Sequence, residues 1–354
     1  MKKFKLNKIG RRFWRTVCVL FALLVIWNIY YISTLTRFRE SAPITTTVSD
    51  PAYKLQIEEA TTVLNAIGED KKLPSFSVAV GHRSKLIWSA AVGYQDMDAG
   101  IVATPKTQYR IGSSSKAVTT TGVARAVDAH KINLNTIIGD TITNWTKKEW
   151  DFSMQQLLSH TAGMGNYEDF GYDAAKYTMC NCHEFATAAE GLKVFDQYDL
   201  IFEPGTSFAY STFDVNLASV VLEQAVGAPF LEYMEANVFQ PLGMKDTYGD
   251  HNRPKTEHFA TFYNTKDGYY REFRSFEQVY DINLSYKWAG GGFISTPTDL
   301  VNMGNAYLKD DSFISHETKR TFWTPMKLDN GEVNEQLYAL GWRSYLEYKN
   351  ATLL

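Results

Sequence analysis

The chain has 354 residues, of which 45% are hydrophobic and 21% are charged, and its formal net charge at pH 7 is −3. This composition is that of a folded protein long enough to form one large domain or two lobes. Seven Lys and Arg residues precede position 16, so the rest carries a net charge of −10, which argues against nucleic acid as a partner.

An apolar run near the N-terminus is long enough to span a membrane. No charged residue occurs between Thr16 and Thr36, and about 20 apolar residues suffice to cross a bilayer. We therefore expect residues 1–15 to form a basic cytoplasmic tail and residues 16–36 to form a single-pass anchor, with the remaining chain extracytoplasmic. A cleaved signal peptide is an alternative, although no small-x-small site follows the run. A mitochondrial presequence, which is also basic and free of acids, is another.

Residues 37–50 show no periodicity and are predicted to be an exposed linker, with one folded domain over 51–354. Asp50 and Pro51 then provide an N-cap and a first-turn proline, and a helix is predicted to end near Gly68. Two β-rich runs, 76–81 and 86–92, predict an antiparallel hairpin that gives the following segment a rigid support.

The stretch from Tyr109 to Lys116 places a hydroxyl three residues before an amine. If it opens a helix, Ser113 and Lys116 share a face, and a serine nucleophile needs such a base beside it. The N–H groups at the helix N-terminus also favour a developing oxyanion. Taken alone, Ser-x-x-Lys arises often by chance, and a Ser-rich helix cap is the simpler interpretation. A stripe of small residues is predicted to form the packed face of this helix, namely Ala117, Thr120, Ala124 and Val127.

Further along, Ser153 is predicted to cap a short helix that precedes His160. This histidine is either a catalytic base or, more simply, a buried imidazole that ties down the loop after the helix. Residues 165–200 have no clear period and are predicted to be a variable surface segment near an entrance. Cys180, Cys182 and His183 lack a second ligand pair at a plausible spacing, so no metal site is expected.

Tyr210 stands at the start of a predicted helix that ends at Gly227. Such a tyrosine carries protons if a cation lowers its pKa, and otherwise it only packs. The glycines at 290–292 permit close approach of two backbones and do not match a phosphate-binding loop. Residues 337–342 are predicted to be a strand.

Together these segments resemble the serine β-lactamase and penicillin-binding-protein superfamily, in its class C-like branch. The matching motifs, in chain order, are Arg110-Ile111-Gly112-Ser113-Ser114-Ser115-Lys116, Leu157-Leu158-Ser159-His160-Thr161-Ala162-Gly163, Pro204-Gly205 with Tyr210-Ser211, Pro241-Leu242-Gly243-Met244, Ala289-Gly290-Gly291 with Ser295-Thr296, and Leu340-Gly341-Trp342. The resemblance implies an α+β, β-lactamase/transpeptidase-like fold, in which an antiparallel sheet flanked by helices adjoins a mainly helical lobe. The active site is expected in the cleft between them.

By this resemblance Ser113 is the acylated nucleophile, Lys116 helps to deprotonate it, and Tyr210 passes a proton to the leaving group. Thr212 stands where the Tyr-x-Asn/Ser motif usually has Asn or Ser, which weakens an expected polar contact to substrate. The implied function is a membrane-anchored serine hydrolase that acts through an acyl-enzyme on a D-amino-acid peptide, a β-lactam or an ester. No metal or organic cofactor is implied.

The family's third motif, Lys-Thr-Gly or His-x-Gly, does not follow Trp342 within the 354 residues. We therefore expect a domain truncated at its C-terminus, without its final strands and with one oxyanion donor missing. The alternative function is a catalytically inactive binding or scaffold member of the same fold. An α/β-hydrolase esterase is disfavoured because the sequence has no Gly-x-Ser-x-Gly nucleophile elbow.

Overall fold

The computed structural model describes residues 8–33, 35–37, 43–71, 73–139, 141–143, 145–170, 176–177, 183–250, 257–266, 269–272, 283–348 and 351–353. The helices are α1 (Lys8–Ser33), α2 (Lys54–Lys71), α3 (Ser115–Asp128), α4 (Met154–Leu158), α5 (Thr212–Val226), α6 (Phe230–Met234), α7 (Gln240–Leu242), α8 (Trp288–Gly291), α9 (Pro297–Lys309) and α10 (His316–Trp323). The strands are β1 (Thr36–Arg37), β2 (Ile44–Ser49), β3 (Ser75–His82), β4 (Lys85–Asp96), β5 (Ile101–Val102), β6 (Tyr109–Arg110), β7 (Tyr248–Gly249), β8 (Tyr263–Lys266), β9 (Tyr269–Glu272), β10 (Phe293–Ser295), β11 (Tyr345–Tyr348) and β12 (Ala351–Leu353).

The predicted hairpin is confirmed as β3 and β4, which pair antiparallel. The two turn residues, Arg83 and Ser84, have φ values of 50° and 61°, the left-handed conformation that suits a tight two-residue hairpin. Strand β4 is the centre of a sheet in the order β2, β4, β3, and β5 pairs with its far end. Helix α9 packs against β3, so the sheet is flanked by a helix.

The linker predicted over 37–50 is wrong for residues 44–49, which form β2 and pair antiparallel with β4. The segment is rich in β-branched residues, which fit a pleated and half-buried surface, and Ile44 packs against a small core with α2. The helix predicted after Pro51 does not end near Gly68, because α2 continues to Lys71. Gly68 does not adopt the left-handed conformation that a helix-ending glycine needs.

Helix α3 lies at the centre of the molecule and packs against α5, α8 and α10. Ten of its residues are buried, so it is covered on nearly all sides and not only along the predicted stripe. Val118, Val123 and Ala124 have no exposed surface. Because α3 is packed on nearly all sides, the helix is held rigidly, and the residues at its N-terminus are held in place with it.

The described parts of residues 165–200 lie only partly at the surface, so the predicted surface segment is wrong for the buried part. In the parts that the structure describes, Phe170, Phe185 and Phe195 are buried in the main core. The rings of Phe170 and Phe195 each lie 4.9 Å from the ring of Phe213 on α5. Aromatic residues in this segment therefore pack the helical lobe, although no regular period reveals their direction.

The strand predicted over 337–342 is also wrong, because the chain turns there. Leu337 and Gly341 have φ values of 51° and 79°, which interrupt extended backbone, and the Ala339 N–H donates to the Trp342 carbonyl at 2.7 Å. The Gly341 N–H bonds the Leu158 carbonyl at 2.8 Å, which ties the turn to the end of α4. β11 and β12 follow as a separate two-stranded sheet.

Helix α1 is long and apolar enough to cross a membrane by length and composition. Its segment Arg12–Ser33 has a mean hydropathy of 2.0, and none of that window is buried against the rest of the described chain. The helix ends at Ser33, three residues before the predicted end of the anchor at position 36, and Thr36 already belongs to β1.

Gly341 offers a test of how the turn at 337–342 is held against α3. A Cβ on this residue would lie 2.3 Å from Cγ2 of Thr120, and its φ of 79° disfavours any side chain. We expect Gly341→Ala to lower the free energy of unfolding by about 2 kcal/mol or more. Chemical denaturation of the full chain in detergent micelles, followed by tryptophan fluorescence, measures this.

Gly304→Ala is the matched control, since Gly304 lies within α9 and no atom lies within 4 Å of a Cβ built on it. It should raise the free energy of unfolding by about 0.5–1 kcal/mol, because glycine weakens a helix interior. Equal effects of the two substitutions would contradict the close packing described for Gly341.

Candidate active site

Ser113 stands in a short 3₁₀ turn, Gly112–Ser114, that leads directly into α3. Its residue is exposed, so the hydroxyl faces open space at the start of a buried helix. The strand before it is fixed by a charge pair, since Nε of Arg110 lies 2.5 Å from Oδ2 of the buried Asp250. The position of the hydroxyl is therefore set by a strand on one side and a helix on the other.

Lys116 follows one turn later and is 1% exposed. Its Nζ lies 3.4 Å from Oγ of Ser113 and donates to the Gly290 carbonyl at 2.6 Å. The predicted approach of the amine to the serine hydroxyl is thus present, and the i, i+3 spacing on one helical face produces it.

The glycine run of α8 allows this contact. A Cβ on Gly290 would lie 2.6 Å from the Thr212 carbonyl and 2.8 Å from Oδ1 of Asn216, so no side chain fits. The Gly290 N–H donates to the same Asn216 oxygen at 2.9 Å. The predicted close backbone approach is confirmed, and it brings the Gly290 carbonyl to Lys116.

The pKa of Lys116 is lowered from its ordinary value to about 7. Burial is the main cause because it disfavours the charged form, and the positive charge of Lys287 acts in the same direction. The carboxyl of Asp214 opposes both effects. Near neutral pH a large fraction of the amine is therefore uncharged and able to accept the Ser113 proton.

Tyr210 lies on the other side of the serine. Nζ of Lys116 lies 4.7 Å from the centroid of the phenol ring, and the Ser113 side chain acts to lower the pKa of the phenol. The structure thus brings Ser113, Lys116 and Tyr210 together. Burial raises the pKa of Tyr210, although the Ser113 side chain and Arg343 act against it. The cation Arg343 therefore favours the phenolate, as expected of a nearby positive charge, but burial has the larger effect and the net pKa is raised.

Two functional neighbours were not identified from the sequence. Lys287 donates to the Tyr167 hydroxyl at 3.2 Å. Its side chain lies next to Gly291, close to the backbone of Gly112. The sequence around this lysine, which only precedes a glycine run, does not indicate that the lysine lies near the candidate site. Asp214 is fully buried in the first turn of α5, and an acid between Phe213 and Val215 is the signal that could have revealed it.

His160 is fully buried, as the simpler of its two interpretations required. Its Nδ1 lies 2.7 Å from Oδ2 of Asp214, and its ring centroid lies 4.6 Å from that of Tyr210. It touches the tyrosine and not the serine hydroxyl, so it is not placed as the base for Ser113.

Among the described residues, no group of three or more His, Cys, Asp or Glu side chains is arranged to hold a metal ion. Cys180 and Cys182 lie outside the described residues. A cavity of about 990 Å³ lies at the far end of α3, lined in part by Arg125, Asp128 and Glu317. Ser113, Lys116 and Tyr210 do not line it, so it is separate from the candidate site.

A family model described as Beta-lactamase matches residues 60–350. Among curated proteins, the human "Serine beta-lactamase-like protein LACTB, mitochondrial" is 27% identical over 365 residues, covering 81% of this chain. The chain spans 65% of the length of that relative.

Solved structures of the same fold also resemble the chain. One of them is EstCE1, described as a hydrolase with promiscuous acyltransferase activity. Its TM-score is 0.68 at 20% sequence identity, and the match covers 82% of this chain and 83% of the EstCE1 chain. D-amino acid amidase from Ochrobactrum anthropi, complexed with D-phenylalanine, has a TM-score of 0.66 at 20% identity, with 83% of each chain covered. At these identities the likeness shows the fold, and it confirms the α+β, β-lactamase/transpeptidase-like prediction.

The depressed pKa of Lys116 predicts how the reactivity of Ser113 depends on pH. With the uncharged amine as the expected base, the rate of Ser113 acylation by a fluorophosphonate should rise with pH to a midpoint near 7. Lys287→Met removes a neighbouring positive charge and should move that midpoint to higher pH, since the pKa of Lys116 then rises.

Lys309→Met is the control, because Lys309 is exposed at the end of α9 and should leave the midpoint unchanged. The measurement is the second-order labelling rate from pH 5 to pH 10 for the three chains. An unchanged midpoint in Lys287→Met would show that Lys287 does not act on Lys116.

Proposed function

The chain belongs to the beta-lactamase family, and from that premise we propose that it is a serine hydrolase that acts through an acyl-enzyme on Ser113. The observation that carries the proposal is the convergence of an amine and a phenol beside one serine oxygen. The Ser113 oxygen lies 3.4 Å from the Lys116 amine, and the nitrogen of that amine lies 4.7 Å from the centroid of the Tyr210 ring. A nucleophile held by a base and a second proton carrier is the arrangement that covalent catalysis requires.

The chemistry follows from the protonation states. Ser113 Oγ attacks the substrate carbonyl carbon while its proton passes to the uncharged amine of Lys116. Because the pKa of Tyr210 is raised, its phenol keeps its proton and can donate it to the leaving group. The phenol then recovers a proton from Lys116, and a water molecule hydrolyses the ester on Ser113. The acyl-enzyme thereby divides one difficult step into two easier ones.

The substrate we propose is a D-amino-acid peptide, a β-lactam or an ester. EstCE1 is named a hydrolase with acyltransferase activity, and the amidase from Ochrobactrum anthropi was solved with D-phenylalanine. Both carry out acyl transfer or amide chemistry on this fold, which supports a small acyl substrate for this chain. A role in binding alone, with the fold retained, is the competing function.

We also propose that residues 16–36 anchor the chain in a membrane with residues 1–15 cytoplasmic and the catalytic domain extracytoplasmic. Helix α1 supplies an apolar segment of sufficient length, and the basic cluster precedes it. The cluster supports this orientation by the positive-inside rule. The human relative carries the word mitochondrial in its name, so a mitochondrial location is the competing outcome.

The central test is covalent labelling. The full chain should react with a fluorophosphonate or a fluorescent penicillin, and peptide mapping should place the label on Ser113. Ser113→Ala should lose the label, whereas Ser114→Ala, at the next and equally exposed position, should keep it. Tyr210→Phe should slow acylation about 10²–10⁴-fold, the usual contribution of a proton carrier.

Two results would decide against the enzymatic proposal. The first is an absence of label on Ser113 with both probes, which would favour the binding role. The second is equal labelling of Ser113→Ala and the unchanged chain, which would place the reactive group elsewhere.

Membrane anchoring is tested separately from activity. The full chain should stay with membranes during alkaline carbonate extraction, and Ile26→Lys should weaken that association, because a charge near the centre of a span costs about 2.5–3.5 kcal/mol. Leu55→Lys is the matched control, since Leu55 is 75% exposed on α2 and outside the span. Protease added to the outer face should degrade the domain and leave the basic tail.

The mass of the mature chain distinguishes the alternatives. A full-length mass supports the anchor, whereas removal of an N-terminal segment would overturn it in favour of a cleaved signal or a presequence.

A further inference from the structure

His160 holds the backbone on both sides of Tyr210. Its main-chain carbonyl accepts a hydrogen bond from the Ala209 N–H at 3.0 Å, and its Nδ1 accepts one from the Ser211 N–H at 3.4 Å. Its imidazole centroid lies 4.6 Å from the Tyr210 ring. One histidine therefore bonds the N–H groups of the residues immediately before and after the tyrosine and also packs against its side chain.

The backbone of His160 is unusual in a way that supports a specific role. Its φ is 60°, a left-handed conformation that most side chains avoid. This conformation costs free energy and persists only where surrounding contacts enforce it. Here it lets the carbonyl and the ring of one residue face the same short segment.

Asp214 completes the arrangement, because its Oδ2 lies 2.7 Å from Nδ1 of His160 and both side chains are fully buried. The Ser211 N–H lies 3.4 Å from the same Nδ1, and a backbone donor at this nitrogen favours a lone pair there over a proton. A short contact between that lone pair and a carboxyl oxygen then requires a proton on the carboxyl. Burial acts in the same direction, since it raises the pKa of Asp214 well above and lowers the pKa of His160 well below their ordinary values.

The charged and titratable groups around the pair are few. Lys116 on α3 and Arg343 both act on His160 and lower its pKa, and Lys116 also lowers the pKa of Asp214 against the larger effect of burial. The rings of Tyr210 and Tyr338 lie on the imidazole at 4.6 and 4.7 Å. Cations on the imidazole side disfavour an imidazolium, which agrees with a neutral pair.

We propose that His160 and Asp214 form a neutral, hydrogen-bonded pair that positions Tyr210 against Ser113, with the shared proton on Asp214. The proposal rests on the proposed function, because it assigns a positioning role to two residues behind a catalytic tyrosine. In the contacts that the structure describes, neither residue touches the serine hydroxyl. Their effect is on the orientation of the phenol, and small errors in such orientation are costly to the rate.

Substitutions at Asp214 separate hydrogen bonding from charge. Asp214→Asn keeps an N–H that donates to Nδ1, so kcat should stay within about threefold of the unchanged chain, while Asp214→Ala removes the donor and should lower kcat about tenfold or more. KM should change little in either variant, since the phenol acts in the chemical step. An equal loss in both variants would show that a charged carboxylate is required, and it would overturn the neutral pair.

Asp128→Ala is the control for general destabilisation. Asp128 accepts three hydrogen bonds from Ser315 and Thr318 at the opposite end of α3 from Lys116. This variant should lower thermal stability and leave kcat per folded molecule unchanged. If Asp214→Ala behaves like Asp128→Ala, the positioning role is refuted.

A second measurement does not depend on activity, so it separates failure of this proposal from failure of the proposed function. Long-range ¹H–¹⁵N spectra of the full chain in detergent micelles, with labelled histidine, should show an unprotonated Nδ1 for His160. The ring signals of Tyr210 should shift in Asp214→Ala and stay in place in Asp214→Asn. A protonated Nδ1, or unchanged Tyr210 signals in Asp214→Ala, would overturn the proposal even if the chain proves inactive.

Discussion

The structure of the site depends on the burial of one amine. Nζ of Lys116 is enclosed, and a charged ammonium in such a place is costly unless it is compensated. The described contacts offer it one carbonyl, that of Gly290, and one serine hydroxyl. The chain meets this cost by releasing the proton near neutral pH, and the same release gives the amine the lone pair that its proposed role as base for Ser113 requires. Burial and reactivity are therefore one property of this lysine.

This constraint explains why three separate parts of the chain meet at the serine. Helix α3 carries Ser113 and Lys116, the start of α5 carries Tyr210 and Asp214, and α8 supplies the Gly290 carbonyl. Asn216 links the last two by accepting from the Gly290 N–H and donating to the Tyr286 carbonyl. Close contact of three backbones is feasible only where side chains are absent, and the glycine run provides that condition.

Sequence patterns correctly predicted the structural features that depend on residues close together in the chain. The hairpin of β3 and β4, the cap at Ser153, the end of α5 at Gly227 and the approach of Lys116 to Ser113 all follow from neighbours a few residues apart. The failures concern features set by distant contacts. Contacts between residues that are far apart in the sequence determine the burial of Phe195, the pairing of β2 with β4 and the turn at Gly341. A short stretch of sequence does not contain both partners of such contacts. Asp214 was missed for the same reason, since its partner lies 54 positions earlier in the chain.

The protonation of Asp214 bears on the amine as well as on Tyr210. An ionised carboxylate there would favour the charged form of Lys116, because the carboxyl raises the pKa of that lysine. A carboxyl that keeps its proton exerts little of this attraction, and Lys287 then acts on the amine with less opposition. The burial that raises the pKa of Asp214 thus also helps to keep Lys116 uncharged, so the proposed base and the proposed proton carrier beside Ser113 depend on the same buried pair.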